Sequence, residues 1–386
     1  MKKTTEGKRR EIINALTSGK YSSLSAVAKA CHSTVKTVSE VRAGCGVSID
    51  LETARQREEL AELKLKYVAA LGELSDVREQ IGIIETCSNI VPINFSINPN
   101  PKRYDAVPVL VLSDWHLDEK VDANAIRDSE GYNVEIAKRR VQSLLEGANQ
   151  IIQILHRDSN INQLVVALLG DFMSCWIHDE LVETNGMTPP EAVLTALNML
   201  TGVLENLLAN CGVDKIIVVE ATGNHGRITK KPQAKNRVKK NYEWIIYHLL
   251  AKHFEDKGET RIQFKPPTGY FNWLNILGRP VRFHHGDAVH YQGGVGGVHI
   301  PLRKAIAQWN KKNAAVLDVM GHWHAREMSR DYVINGCLIG YNEFAEQIKA
   351  DFETARQSIF LLHSRFGKTG EYPIVVEDEN WELIGK

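Results

Sequence analysis

Five short apolar runs recur along the C-terminal three quarters of this 386-residue chain: VPVLVL (107–112), QLVVALL (163–169), IIVVEAT (216–222), PVRF (280–283) and AVLDVM (315–320). Rich in Val, Ile and Leu, they fit sheet strands covered on both faces. The tens of residues between them leave room for a crossover helix each time, so an α/β fold is expected. Further along, YVINGCLIGYN, QSIFLLHSRFG and EYPIVVEDENWELIG predict strands that complete a second sheet. No apolar stretch is expected to supply the roughly 20 residues of a membrane helix.

Before residue 106 the period changes. Ile12, Ile13 and Leu16 predict a helix near 7–18, and shorter helices follow near 24–31 and 34–43. The stretch Ala26–Val38 resembles a helix-turn-helix, with a small Ala where two helices cross, a Ser33/Thr34 cap, and Val35 and Val38 on the inner face of the second helix. Ser33, Thr34, Lys36, Thr37 and Glu40 would then face DNA. The plainer alternative is a three-helix bundle used only for protein contacts. From 51 to 86, Leu60, Leu63, Tyr67, Ala70, Leu74, Val77, Ile81 and Ile84 fill eight consecutive a and d heptad positions, which predicts a coiled coil and hence a homodimer or higher oligomer. A long helix packed on its own catalytic domain is the alternative. A tract rich in Asn, Pro and Ser then reads as a linker. The expected organisation is a helix-turn-helix over 1–48, a coiled-coil helix over 49–88, a linker over 89–105 and a catalytic domain over 106–386.

Charge changes the picture only locally. Lys plus Arg equals Asp plus Glu, 47 each, but residues 1–48 carry nine basic against three acidic side chains (+6) and residues 49–88 five against nine (−4). A basic head of this kind favours DNA as a partner. Six scattered cysteines without a CxxC pair suit a reducing compartment, and no apolar segment follows the basic N-terminus as a signal peptide would require. The expected location is cytoplasmic, without membrane association.

The chemistry sits where the apolar runs stop. They end in Ser113-Asp114-Trp115-His116, Gly170-Asp171, Gly223-Asn224-His225, His284-His285-Gly286 and Gly321-His322-Trp323-His324. Strand ends are where an α/β sheet presents its ligand site. Oxygen and imidazole donors without thiolate suit manganese, iron or zinc. Asp-x-His, Gly-Asp, Gly-Asn-His, His-Gly and Gly-His-x-His in this order resemble the calcineurin-like metallophosphoesterase superfamily over roughly residues 108–326. The resemblance implies a β-sandwich of two mixed sheets flanked by helices, and two divalent cations with manganese favoured and iron, zinc or magnesium as alternatives. It assigns Asp114, His116 and His324 to one metal, Asn224, His285 and His322 to the other, and Asp171 to both. A hydroxide between the metals would attack in line, and His225 would contact the phosphate and help protonate the leaving oxygen. Two positions depart from the family: Ser174 stands where Asp or Asn is frequent, and Gly226 where Asp or Glu is common. His284 should point away from His285 along the strand.

Behind His225 runs RITKKPQAKNRVKK, residues 227–240, seven of whose fourteen residues are Lys or Arg and none acidic. Arg227, Lys230, Lys231, Lys235 and Arg237 are therefore candidate contacts to a polyanion. His178 is a candidate for the cleft wall. A glycine loop at 293–297, flanked by His290 and His299 and followed by Arg303, Lys304, Lys311 and Lys312, would let a backbone approach closely. The expected activity is that of a metal-dependent DNA nuclease, similar to the DNA-repair exonuclease branch. The alternatives are a small-molecule phosphatase or cyclic-nucleotide phosphodiesterase anchored to DNA, and a DNA-binding regulator with an idle enzyme domain.

Overall fold

Every residue of β1 (Ala106–Leu112) is buried, as are all but the first residue of β2 (Gln163–Leu168) and of β3 (Lys215–Glu220). Strands covered on both faces have no use for polar alternation, which is why these runs are apolar throughout. The structure is a computed structural model that describes residues 4–46, 51–88, 92–98, 102–126, 131–290 and 297–377. The chain divides into two compact units, 1–99 and 100–386.

In the second unit, β1, β2, β3 and β4 (Ile262–Lys265) lie parallel in that order. A second sheet is built from β5 (Asn272–Ile276), β6 (Arg279–Phe283), β7 (Leu317–Met320), β8 (Glu327–Met328) and β9 (Tyr332–Ile334), in the order β5-β6-β7-β9-β8. Both sheets are mixed. The C-terminal pair β10 (Arg356–His363) and β11 (Gly367–Val375) corrects the expectation that this region completes the second sheet. It extends the first, with β10 antiparallel to β1. The reason is burial: β10 is buried along all but its first residue, so it fits beside β1 and not on an edge. Residues 378–386 of that tract lie outside the described residues.

Alternate residues of the first sheet feed two cores. One set, with Leu110, Val166 and Val218, packs against α5 (Val134–Asp158), α7 (Pro189–Asn210) and α8 (Tyr242–Asp256). The other, with Val109, Val165 and Val219, meets Val281, Phe283, Val319 and Val333 of the second sheet. On the outside of that sheet, α9 (His299–Asn310) buries Leu302 and Ile306 against Met320 and Tyr332. The result is an α/β sandwich of two mixed sheets flanked by helices, as expected. Two short helices, α6 (Asp179–Thr184) and α10 (Glu343–Ile348), lie in connecting segments. One sequence expectation needs correction: α7, 22 residues long with an 18-residue window of mean hydropathy 1.5, is long and apolar enough to cross a membrane. Its Ala196, Leu200, Leu204 and Leu207 are buried in the core, which accounts for that composition.

In the first unit, α1 (Glu6–Thr17), α2 (Leu24–Ala30) and α3 (Val35–Cys45) share a small core of Ile12, Leu16, Val27, Ala28, Cys31, Val38 and Val41. Thr34 caps α3, its Oγ1 accepting from Thr37 N at 3.2 Å. That cap places Val35 in the first turn, where it is 45% exposed, so Val41 and not Val35 joins Val38 on the inner face. Lys36 and Glu40 are exposed, and Ser33 and Thr37 half-buried. The fourth helix, α4 (Leu51–Ser88), runs unbroken through Gly72 for 38 residues. All its described side chains, 55–85, are exposed, the heptad stripe included. Residues 92–98 have no regular structure. The five cysteines whose side chains are described are free.

Glu220 ends β3 facing the helices, and its Oε1 has no hydrogen-bond partner among the described residues. Burial pushes this carboxyl up to about 8 from its ordinary 4.5. The folded state thus holds a proton that the unfolded state gives up, so stability falls as pH rises from about 4.5 through about 8. Glu220→Gln is expected to raise Tm at pH 9 by several degrees, about 1–3 kcal/mol, and to change it little at pH 4.5. Thermal melts of both proteins across this range check the sign.

Candidate metal centre

Five of the seven expected ligands lie just beyond the ends of strands in an unusual backbone conformation. Asp114 follows β1, Asp171 follows β2, and His322 and His324 follow β7. These four and His116 account for five of the ten non-glycine residues with positive φ among the described residues, at φ between 50° and 73°. Such conformations cost energy and persist only where neighbours enforce them, and they concentrate at functional sites. The enforcement is visible. Asp114 accepts from His322 N with both carboxylate oxygens at 3.0 Å, joining the loops after β1 and β7 across the sandwich. Asp171 Oδ1 accepts from His225 N at 2.8 Å. Gln357 of β10 accepts from Ser113 N and the Trp115 indole and donates to Ser113 O, fixing the first loop from below.

Two groups of donors bring expected ligands together. Asp114, His116 and His324 each offer one atom within 4.8 Å of the others, and so do Asp171, His285 and His322. In the first group His116 Nε2 lies 3.1 Å from His324 Nε2, and the latter 3.6 Å from Asp114 Oδ1. In the second, His285 Nε2 lies 2.8 Å from Asp171 Oδ2 and 3.0 Å from Asn224 Oδ1, which brings Asn224 in. His285 Nδ1 donates to Leu169 O at 2.7 Å, leaving Nε2 to face the centre. Carboxylate, amide and imidazole donors, buried or half-buried, fit divalent cations well. The residues can hold metal ions.

His225 lies against this centre, its ring 4.8 Å from that of His116 and 6.0 Å from that of His178. His178, the candidate for the cleft wall, is exposed beside His225. His284 points the other way, as expected, toward Asp318, Tyr270 and Trp309.

The departure at Gly226 acquires a physical explanation. Glu243 of α8 accepts from Phe172 N at 3.0 Å and from Gly223 N at 2.6 Å, tying two ligand loops together. Asn241 and Glu243 fill the space beside Gly226, where a Cβ would stand 2.5 Å from Asn241 Oδ1. A carboxylate thus arrives from α8 and leaves no room for a side chain at 226. Glu243 and Glu119 are the site residues that sequence reasoning missed. Glu119 follows the first ligand motif by three residues, and that proximity was the only signal available.

The basic tract forms a loop pinned at its ends, with Ile228 N bonded to Lys240 O and Tyr242 N to Gly226 O. Lys230, Lys231 and Lys235 are exposed. Arg227 donates to Asn224 O at 2.6 Å and lines a shallow cleft with Asn224, Thr229 and Lys240. Arg237 does not stand ready for a polyanion. Its guanidinium makes a two-pronged pair with Asp287 at 3.0 and 3.1 Å, bonds Thr222 O and lies over Tyr270. His299 bonds Tyr332 and Glu327, and Arg303 pairs with Asp331. Of the glycine loop at 293–297, only Gly297 falls within the described residues.

No protein-family model matches the sequence, and no curated protein matches it. Among solved structures, a hypothetical protein PH1004 from Pyrococcus horikoshii OT3 aligns with 72% of this chain and 91% of its own, at 11% identity and a TM-score of 0.33. Vps29 of Chaetomium thermophilum aligns with 70% of this chain and 100% of its own, at 11% identity and a TM-score of 0.27. Protein AQ665 from Aquifex aeolicus, of unknown function, covers 58% of this chain and 83% of its own, at 12% identity and a TM-score of 0.24. Similarity this slight decides neither fold nor activity.

Electrostatics sets a condition on metal binding. Burial opposes charge on His116 and His285, but Glu119, Asp171 and Asp114 around His116 push it up to about 9, and Asp171 pushes His285 up to about 10. Burial, with His285 nearby, drives His322 down to about 3. Asp171, buried yet ringed by His285 and His225, is held well below the carboxylate range. At neutral pH the metal-free centre therefore carries protons on two expected ligands, and ligation must expel them. Manganese affinity is expected to rise up to about 100-fold per pH unit near neutrality, with about two protons released. Calorimetric titration in buffers of different ionisation enthalpy measures both, and a pH-independent affinity would contradict the protonation scheme.

Proposed function

We propose that the second unit is a calcineurin-like metallophosphoesterase that hydrolyses phosphodiester bonds in DNA, using two divalent cations, manganese by preference. The observation that carries this reading is one of placement. The two donor groups, the half-buried His225 and the basic loop 227–240 are contiguous through Asn224 and Arg227. When bound, the cations supply Lewis-acid neutralisation of a phosphoryl group and lower the pKa of water. The chain's own residues bind and orient. Lys230, Lys231 and Lys235 meet backbone phosphates at the rim, while the backbone N–H of His225 on Asp171 fixes where its ring stands. Burial keeps that imidazole neutral, at about 4, so a proton is taken up only when an anionic phosphate arrives to stabilise it. It is then placed to pass that proton to the leaving oxygen.

The first unit delivers the enzyme to DNA in this reading, through Ser33, Thr34, Lys36 and Thr37 at the start of α3. Its α4 pairs with a second copy in parallel. Placing a at 60, 67, 74 and 81 sets Glu59 opposite Lys64 of the second copy and Glu73 opposite Arg78, opposite charges at two of the four g–e pairs, with no like-charge pair at the other two. The paired stripe runs for about 37 Å at 1.5 Å per residue, enough for a stable two-stranded coil.

Purified protein with manganese is expected to degrade DNA, and Asp171→Asn and His225→Ala each to lower the rate by at least about 100-fold. Labelled single- and double-stranded DNA, run beside bis(p-nitrophenyl) phosphate, measures this. Turnover of the small diester with DNA left intact would favour the small-molecule alternative. Changing Lys230, Lys231 and Lys235 together to Gln should weaken DNA binding and lower its log–log salt slope by about 2–3. Sedimentation equilibrium should give a dimer, and Leu74→Lys a monomer with unchanged hydrolysis of the small diester.

A further inference from the structure

His116 is expected to face the centre with Nε2, so its Nδ1 carries the hydrogen and needs an acceptor on the far side. That acceptor is Ser174 Oγ, 2.5 Å away. A serine hydroxyl is a weak anchor by itself, but it carries a hydrogen of its own, and it donates this to Glu119 Oε1. The same carboxylate oxygen lies 3.3 Å from His116 Nδ1 directly. Glu119 thus backs the imidazole both through the serine and at close range. The geometry is compact because Glu119 N bonds His116 O in one turn, so ligand and support ride on the same loop.

A second contact points the same way. One ring nitrogen of His225, one of His116 and one oxygen of Glu119 all lie within 4.8 Å of one another. His225 Nδ1 is buried and has no hydrogen-bond partner among the described residues. The other nearby carboxylates are committed elsewhere. Asp118 accepts from Ser174 N, Cys175 N and the Asn185 amide, and Asp171 is taken by His285 and His225 N.

We propose that Glu119 is the positioning carboxylate of the metal centre, with Ser174 relaying it to His116 and its free edge facing His225. This chain therefore moves to the end of its first ligand motif a carboxylate that Ser174 does not supply. The inference rests on the metal-centre reading, so the experiment separates the two. Manganese is titrated calorimetrically into the unmodified protein, into Glu119→Gln and into the double variant Glu119→Ala/Ser174→Asp, with melts in chelator as a check on folding. Two ions are expected on the unmodified protein. Glu119→Gln should weaken one of them by about 10–100-fold and leave the other in place. The double variant, which returns a carboxylate to position 174, should recover most of that loss.

Equal manganese affinity in Glu119→Gln and the unmodified protein would overturn the proposal while leaving the metal centre standing. So would a folded double variant that fails to recover, since Glu119 would then act only by packing. An unmodified protein that takes up no manganese would overturn both readings. If Glu119→Gln alone melts early in chelator, the double variant decides.

Discussion

The site-bearing end of the sandwich depends on buried carboxylates that accept backbone N–H groups from the neighbouring loop. Asp114 takes His322 N, Asp171 takes His225 N, Glu243 takes Phe172 N and Gly223 N, and Asp118 takes Ser174 N and Cys175 N. A carboxylate out of water is costly, and these charge-assisted hydrogen bonds offset part of that cost, burial still raising Asp114 to about 6 and Glu243 to about 7. They also determine what the loops present. With the N–H groups committed, the peptide planes are fixed and the ligand side chains must project inward from left-handed backbone. Ligand geometry and fold are secured by the same bonds, so neither can be perturbed alone.

Much of this was legible in the sequence, for a simple reason. Parallel strands buried on both faces leave long apolar runs, and the residue after each run sits at one edge of the sheet. The five ligand loops could be read from that alone. The carboxylates that organise them could not. Glu243 is nineteen positions beyond Asn224 and on a helix, and its purpose appears only when α8 is folded against β3. Arg237 stood in a basic tract with every sign of serving a polyanion, yet Asp287, fifty residues on, pairs with it. Sequence shows a charge but not the long-range partner that neutralises it.

The misplaced C-terminal strands have a related cause. Apolar alternation in 356–363 predicts a strand correctly, but sheet membership is a long-range property. What draws β10 into the first sheet is the open edge of β1 and the fit of Gln357 beneath Ser113 and Trp115. In the first unit, Val35 was assigned inward by spacing, whereas the cap at Thr34 fixed where the helix starts and turned that side chain outward.

The left-handed backbone at Asp114, His116, Asp171, His322 and His324 also bears on how an ion would enter. Loops already bent into their final shape have no ordering step left to make, so chain motion would not limit the speed of uptake. Ion entry would instead be coupled to loss of the protons that His116 and His285 carry at neutral pH. Loading would then be favoured in alkaline medium and opposed in acid.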